Sequence, residues 1–241
     1  MEKFEETIED YVAKLNIEGQ RKVWLKNRRK IDFILSKTNR YIRSKRTACD
    51  IGIGEGHLLR RLEDMGFSVT GIDISSYLIE HLGESFKKQS LEIKLIHGNI
   101  ADIDLDENSF DVVTCLDVLE HIPDDALKMT IENLKKCIVN DGLLIGTLPL
   151  GENLQDNMVI CPKCRHEFHR IGHYQSFGNI EQIKKLFEPD FKIIKIGYIP
   201  FILFKLNFLN YICHWIYRFL CRVTGVKMVK TVYFVAKLEK T

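Results

Sequence analysis

The chain has 241 residues, of which 45% are hydrophobic and 28% charged, enough apolar material for one globular domain with a substantial core. A net charge of +2 makes no case for global polyanion binding. Seven cysteines is an odd number in a chain too long to need staples, which argues a reduced, cytoplasmic protein.

Residues 1–18 alternate acids with apolar residues at helical spacing (Phe4, Ile8, Tyr11, Val12, Leu15) and read as an amphipathic helix with no apolar signal core. Between Arg21 and Arg46 the charge reverses: eleven Lys or Arg stand against one acid, Asp32. The apolar residues there still fit one or two helices. The basic face is either a solvated cover for a sheet edge or a surface for an anionic substrate or lipid.

A short apolar segment then enters Cys49-Asp50-Ile51-Gly52-Ile53-Gly54-Glu55-Gly56-His57, an acid followed by glycines at every second position. Such a run turns a strand sharply and lets a ligand approach the backbone, with the N–H groups of the next helix aimed at it. It is not the G-x-G-x-x-G spacing, and no Gly-Lys-Ser/Thr follows. A helix is expected from about Gly56 to Met65, then a strand ending at Ile72. Asp73 closes that strand about twenty residues on, where a doubly wound sheet sets a carboxylate against ribose hydroxyls. Ser75 is a reasonable N-cap for a helix from about Ser76. Further strands are expected at Ile93–His97, Phe110–Leu116 and Leu143–Leu148, with a helix over Asp124–Ile138 and an Asp141-Gly142 turn. Strand–helix alternation with near-continuous apolar strands argues a parallel sheet covered on both faces.

This pattern resembles the class I S-adenosylmethionine (SAM) methyltransferases, most closely the small-molecule branch that includes quinone-biosynthesis O-methyltransferases. The likeness is good over roughly residues 45–150. It implies a Rossmann-like, seven-stranded, mostly parallel sheet with SAM as the cofactor. The cofactor residues it implies are Asp50, Gly52, Gly54, Gly56, Asp73, Ile74, Asn99, Ile100 and Leu116. Asn99 stands where the family usually has Asp against the adenine amine; its amide carbonyl can accept the same bond. The family also uses an Arg of the preceding helix on the SAM carboxylate, for which Arg29 or its neighbour Arg28 is the expected equivalent. The resulting organisation is one methyltransferase domain: a cap (1–46), a SAM-binding core (47–149), a Cys/His insert (150–177) and an apolar-basic insert (199–229) between the last two strands.

After the fourth strand comes Leu116-Asp117-Val118-Leu119-Glu120-His121-Ile122-Pro123, which looks like the family's acid-x-Leu-Glu-His segment. Methyl transfer is an in-line substitution, and a hydroxyl acceptor must also lose its proton. His121 is the expected base, with Glu120 and Asp117 orienting it or binding a metal; the alternative is that His121 packs the loop before Pro123. The acceptor is expected to be small, hydrophobic or lipid-linked, and methylated on a hydroxyl oxygen. A nucleic-acid or protein methyltransferase and a non-catalytic SAM-binding module are the alternatives. No Asn-Pro-Pro-Tyr-type motif is present, so no nucleic-acid partner is expected.

The insert carries Cys161-Pro-Lys-Cys164-Arg-His-Glu-Phe-His169-Arg-Ile-Gly-His173. Cys161, Cys164, His169 and His173 are expected to hold a structural zinc, with a redox pair or a metal-free substrate lid as alternatives. Residues 199–229 are aromatic, apolar and basic, with an uncharged run too short to span a bilayer. They read as a peripheral membrane contact, a lid over a greasy substrate, or a subunit contact.

Overall fold

The computed structural model describes residues 21–199 and 230–239. The helix expected over residues 1–18, and the second insert beyond Ile199, lie outside the described residues. The basic stretch forms a single helix, α1 (Arg21–Ile42). Its residues Lys30, Ile34, Thr38 and Ile42, each four apart, are all buried and define one inward stripe. There follow β1 (Thr47–Ile51), α2 (His57–Asp64), β2 (Ser68–Asp73), α3 (Ser76–Lys88), β3 (Ile93–His97), β4 (Phe110–Leu116) and α4 (Asp124–Cys137). The remainder is β5 (Ile138–Leu150), a small hairpin of β6 (Met158–Ile160) and β7 (Glu167–His169), α5 (Ile180–Phe187), β8 (Phe191–Tyr198) and β9 (Lys230–Leu238).

Seven strands make one sheet in the order β3-β2-β1-β4-β5-β9-β8. The first five are parallel, whereas β9 runs antiparallel between β5 and β8. Helices cover both faces, as expected. On one, Leu134 and Cys137 of α4 and Ile183 and Phe187 of α5 pack against Val113, Leu144 and Phe234. On the other, Ile34 and Leu35 of α1, Leu59 and Leu62 of α2, and Leu82 and Phe86 of α3 pack against Ala48, Val69 and Val235.

Two local signals behave as their chemistry dictates. Ser75 caps α3, its hydroxyl accepting from the Leu78 N–H at 3.2 Å. Gly56 precedes α2 at φ 68°, in the left-handed region. The Asp141-Gly142 pair differs: it lies inside β5, with Asp141 at φ 60° and a register shift opposite Phe110/Val112. Across it β5 advances from Ile138 to Leu143 while β4 advances from Phe110 to Val112, so the pair stands in an irregular stretch of β5.

β9 is wedged into the core. Phe234 is fully buried, 4.9 Å from the Phe187 ring, and occupies the space above Gly146, where an added Cβ would sit 2.3 Å from its Cζ. Phe234→Ala is expected to lower the unfolding free energy by about 3–5 kcal/mol, measured by denaturant titration. A loss under about 1 kcal/mol would mean that β9 is not integral to the core.

Candidate active site

Parallel strands bring their carboxyl ends to one edge, and the expected cofactor residues gather there. β1 ends in the glycine turn, where Gly52, Gly54 and Gly56 take φ of 74°, 49° and 68°. Gly52 is required twice, since an added Cβ would also meet Val118 Cγ2 at 2.5 Å. Above Gly54 no described residue lies within 4 Å of an added Cβ, and its backbone is exposed.

Asp73 holds that turn in place. One carboxylate oxygen accepts from the Ile53 N–H at 2.8 Å and the other from the Ser75 N–H at 2.9 Å. One side chain therefore ties the glycine turn to the start of α3. Asp50 faces inward: it is 2% exposed and accepts from Thr114 Oγ1 at 2.6 Å. Burial pushes its carboxyl up to about 8, against the Thr114 hydrogen bond and aided by the Asp73 charge. Asp50 thus joins β1 to β4, while Asp73 faces the open edge.

At the end of β3 Asn99 forms an Asx turn, its carbonyl accepting from the Ala101 N–H at 3.0 Å. Ile100 is buried, and its carbonyl accepts from Asn133 of α4 at 2.8 Å. The Ile74 carbonyl accepts from His97 Nε2 at 2.9 Å, and Leu116 is half-buried at the end of β4. Arg29 is exposed. The cation that α1 sends to this edge is its neighbour Lys30, which is buried and ion-paired with Asp117. Asp117 itself stands at φ 56° and accepts from the Thr147 hydroxyl at 2.6 Å. Desolvation acts to raise its carboxyl, but Lys30, Thr147 and His121 hold it below the usual carboxylate range. The signal for Lys30 was present in the i, i+4 stripe of α1; basicity alone does not separate it from Arg28 and Arg29.

Next to Asp117, a single 3₁₀ turn (Leu119–His121) presents Glu120 and His121. Glu120 is 2% exposed, and among the described residues its Oε2 has no hydrogen-bond partner. Burial, aided by Asp117, pushes its carboxyl up to about 8. The Nδ1 of His121 lies 3.1 Å from the Gly172 carbonyl, which can only accept, so Nδ1 carries the proton and Nε2 the lone pair. Burial, with His173 beside it, drives the His121 pKa down to about 4.

The Cys/His insert does not fold as a separate zinc unit. Cys161 and Cys164 lie in the turn between β6 and β7, while His169 and His173 lie at and beyond the end of β7. Among the described residues, the ligand atoms of these four do not gather within 4.8 Å; the candidate groups are Glu120–His121–His173 and Glu152–His169–His173. The structure does not bring the four expected ligands together; two of them, His169 and His173, stand with Glu152. Instead the insert is stitched to the catalytic loop. The Glu120 carbonyl accepts from the Tyr174 and Gln175 N–H groups at 2.7 and 3.0 Å, and Gln175 Nε2 donates to the Ile122 carbonyl at 3.0 Å. His173 packs edge-on to His121, with ring centroids 4.8 Å apart, and its Nδ1 donates to Glu152 Oε2 at 2.6 Å. Glu152 and the Gly172 carbonyl were not legible in sequence, because both act through contacts made across the insert.

Replacing Asp73 by Ala is expected to weaken S-adenosylhomocysteine binding more than tenfold in calorimetric titration, since the turn loses its tie and the ligand a carboxylate. Unchanged affinity would mean that the cofactor lies elsewhere.

Residues 48–142 match the family described as a methyltransferase domain. The ubiquinone biosynthesis O-methyltransferase of Actinobacillus pleuropneumoniae serotype 5b (strain L20) is 27% identical over 164 residues, covering 62% of this chain and 68% of that protein. The 1,6-didemethyltoxoflavin-N1-methyltransferase of Burkholderia thailandensis, solved with its substrate and S-adenosylhomocysteine, superposes with a TM-score of 0.67 at 13% identity, over 99% of this chain and 90% of that one. A SAM-dependent methyltransferase of Clostridium acetobutylicum ATCC 824 does so with a TM-score of 0.62 at 16% identity, over 88% and 92%. Residues 48–142 thus carry a methyltransferase domain, set in a Rossmann-like fold shared with solved SAM-dependent methyltransferases.

Proposed function

We propose that the chain transfers the methyl group of SAM to a hydroxyl oxygen of a small, hydrophobic or lipid-linked acceptor. The observation that carries this reading is the pairing of a buried Glu120 with a His121 whose anchored Nδ1 leaves the Nε2 lone pair available. The quinone-pathway relative supports oxygen as the acceptor atom, being named for O-methylation. SAM would lie over the glycine turn, with its ribose toward Asp73 and its adenine toward Asn99 and Ile100. The acceptor would lie beneath the 172–175 segment. As the acceptor oxygen attacks the methyl carbon, the carbon–sulfur bond breaks and its electron pair neutralises the sulfonium. The hydroxyl proton passes to His121. The insert excludes water and fixes the line of attack.

A second reading is favoured by one observation, the unpartnered Glu120 Oε2. One ligand atom from each of Glu120, His121 and His173 lies within 4.8 Å of the others, and both imidazoles are oriented through Nδ1 by a carbonyl or carboxylate. This is the support that metal-ligating histidines receive. These three residues would hold a divalent cation, which supplies Lewis acidity toward an acceptor oxygen. The zinc expected of the insert belongs, on this reading, with Glu120 rather than the cysteines.

The aromatic-basic stretch 199–229 suits peripheral contact with a membrane that delivers a lipid-linked acceptor. Among the described residues no helix is long and apolar enough to cross a membrane.

His121→Gln is expected to lower kcat by about 10²-fold or more with S-adenosylhomocysteine affinity within about twofold. Because burial depresses His121, the base is already neutral well below pH 6.5. The acidic limb of kcat/KM should lie near pH 4, with activity rising as pH rises through it. A limb at the ordinary histidine value would argue against His121 as the base. Activity abolished by a chelator and restored by a divalent cation would select the second reading. In vesicle flotation, replacing Phe201, Phe204 and Trp215 with Ser should abolish association; flotation unaltered by the change would remove the membrane contact.

A further inference from the structure

On the α1 side of the sheet, away from the catalytic loop, lies a cavity of about 330 Å³ lined by Ser36, Lys37, Arg40, Lys195 and Tyr233. Among the described residues its lining combines three cations, a hydroxyl and a phenol, with no carboxylate; Ser36, Lys37 and Arg40 are exposed, so it opens to solvent, while Tyr233 is buried. Lys37 lies over the Phe33 ring and Arg40 over the Tyr41 ring, and Arg40 also donates to the Tyr41 hydroxyl. Among the described residues none of the three cations forms an ion pair with an acid.

The backbone is shaped to deliver the third cation. β8 and β9 pair with a register shift between Ile193 and Lys195. Ile193 and Ile196 pack on the α4–α5 face, whereas Ile194 packs on the α1 face and Lys195 lines the cavity there. The bulge therefore sends two consecutive side chains to one side of the sheet and re-aims Lys195 toward α1. Gly197 makes room for the phenol, since an added Cβ would sit 2.8 Å from the Tyr233 hydroxyl. Burial, first among the causes, raises the Tyr233 pKa, so the hydroxyl keeps its proton to donate. On the β8–β9 side the sequence offers no neutralising charge: no Asp or Glu occurs between Asp190 and Glu239.

We infer that this cavity is a second ligand site, separate from the methyl-transfer centre, that binds a phosphate-type oxyanion through Lys37, Arg40, Lys195, Ser36 and Tyr233. Arg40 supplies the planar fork that suits phosphate oxygens, and Lys37 and Lys195 supply point charges. The oxyanion would come from a phospholipid headgroup or from a free phosphate compound. The inference stands independently of the acceptor's identity and of the role given to His121.

The test uses the full chain and two probes in calorimetric titration, inorganic phosphate and water-soluble dihexanoyl phosphatidic acid. At least one should bind, and the double variant Lys37→Ala/Arg40→Ala should weaken it at least tenfold, with S-adenosylhomocysteine affinity unchanged. Binding of phosphatidic acid alone assigns the site to a lipid headgroup; binding of inorganic phosphate as well assigns it to phosphate compounds in general. Lys195→Gln, which keeps a polar side chain and removes one charge, guards against a folding defect and should weaken binding about three- to tenfold. Absence of binding by both probes, or binding unmoved by both variants, would overturn the site.

Discussion

Asp73 is the constraint on which the cofactor edge depends. A strand that ends in three alternating glycines has no side chains with which to fix its own turn, and glycine carries a high conformational entropy cost. The turn is held from outside by a buried carboxylate that accepts the Ile53 N–H with one oxygen and the Ser75 N–H with the other. The same carboxylate lies where a ribose would approach. Structural tie and, on the proposed reading, ligand contact are combined in one residue. Asp50, the other acid of the motif, is turned away into the sheet and hydrogen-bonded to Thr114, which keeps its carboxyl out of the open edge.

A second set of ties governs the acceptor side. The catalytic loop after β4 is a single 3₁₀ turn, too short to be rigid alone. Its Glu120 carbonyl is taken by two successive N–H groups of the insert, and its His121 ring by the Gly172 carbonyl. The insert is thereby held against the loop after β4, and His173 stands beside His121 and Glu152. At 13–16% identity the likeness to the solved methyltransferases is one of architecture. Fold fixes where SAM chemistry is placed, and the inserts decide what reaches it.

α1 links the two ligand regions of the chain. Its inward stripe delivers Lys30 to Asp117 at the methyl-transfer edge, and farther along the same helix Lys37 and Arg40 meet Lys195 across the sheet edge. The basic composition that looked like one surface is therefore divided among three environments: a buried ion pair, a cation-lined cavity and the exposed Arg28 and Arg29. Only burial assigns each residue to its place, because all carry the same charge.

The sequence by itself determined the alternating core. Apolar strands, helix periodicity, the Ser75 cap and the glycine turn are local signals read within a few residues of one another, and strand ends such as Ile51, Asp73 and Leu116 follow from them. Tertiary structure decided what depended on contacts between distant segments. It buried Lys30 and left Arg29 exposed through the packing face of α1, and it set Asp141-Gly142 within β5 at the register shift between Ile138 and Leu143. It also parted Cys161 and Cys164 from His169 and His173, because the β6–β7 hairpin is closed by its own backbone bonds while the histidines are drawn to Glu152 and the catalytic loop. Spacing along a chain fixes which ligands can meet; only the competing partners in space decide which do.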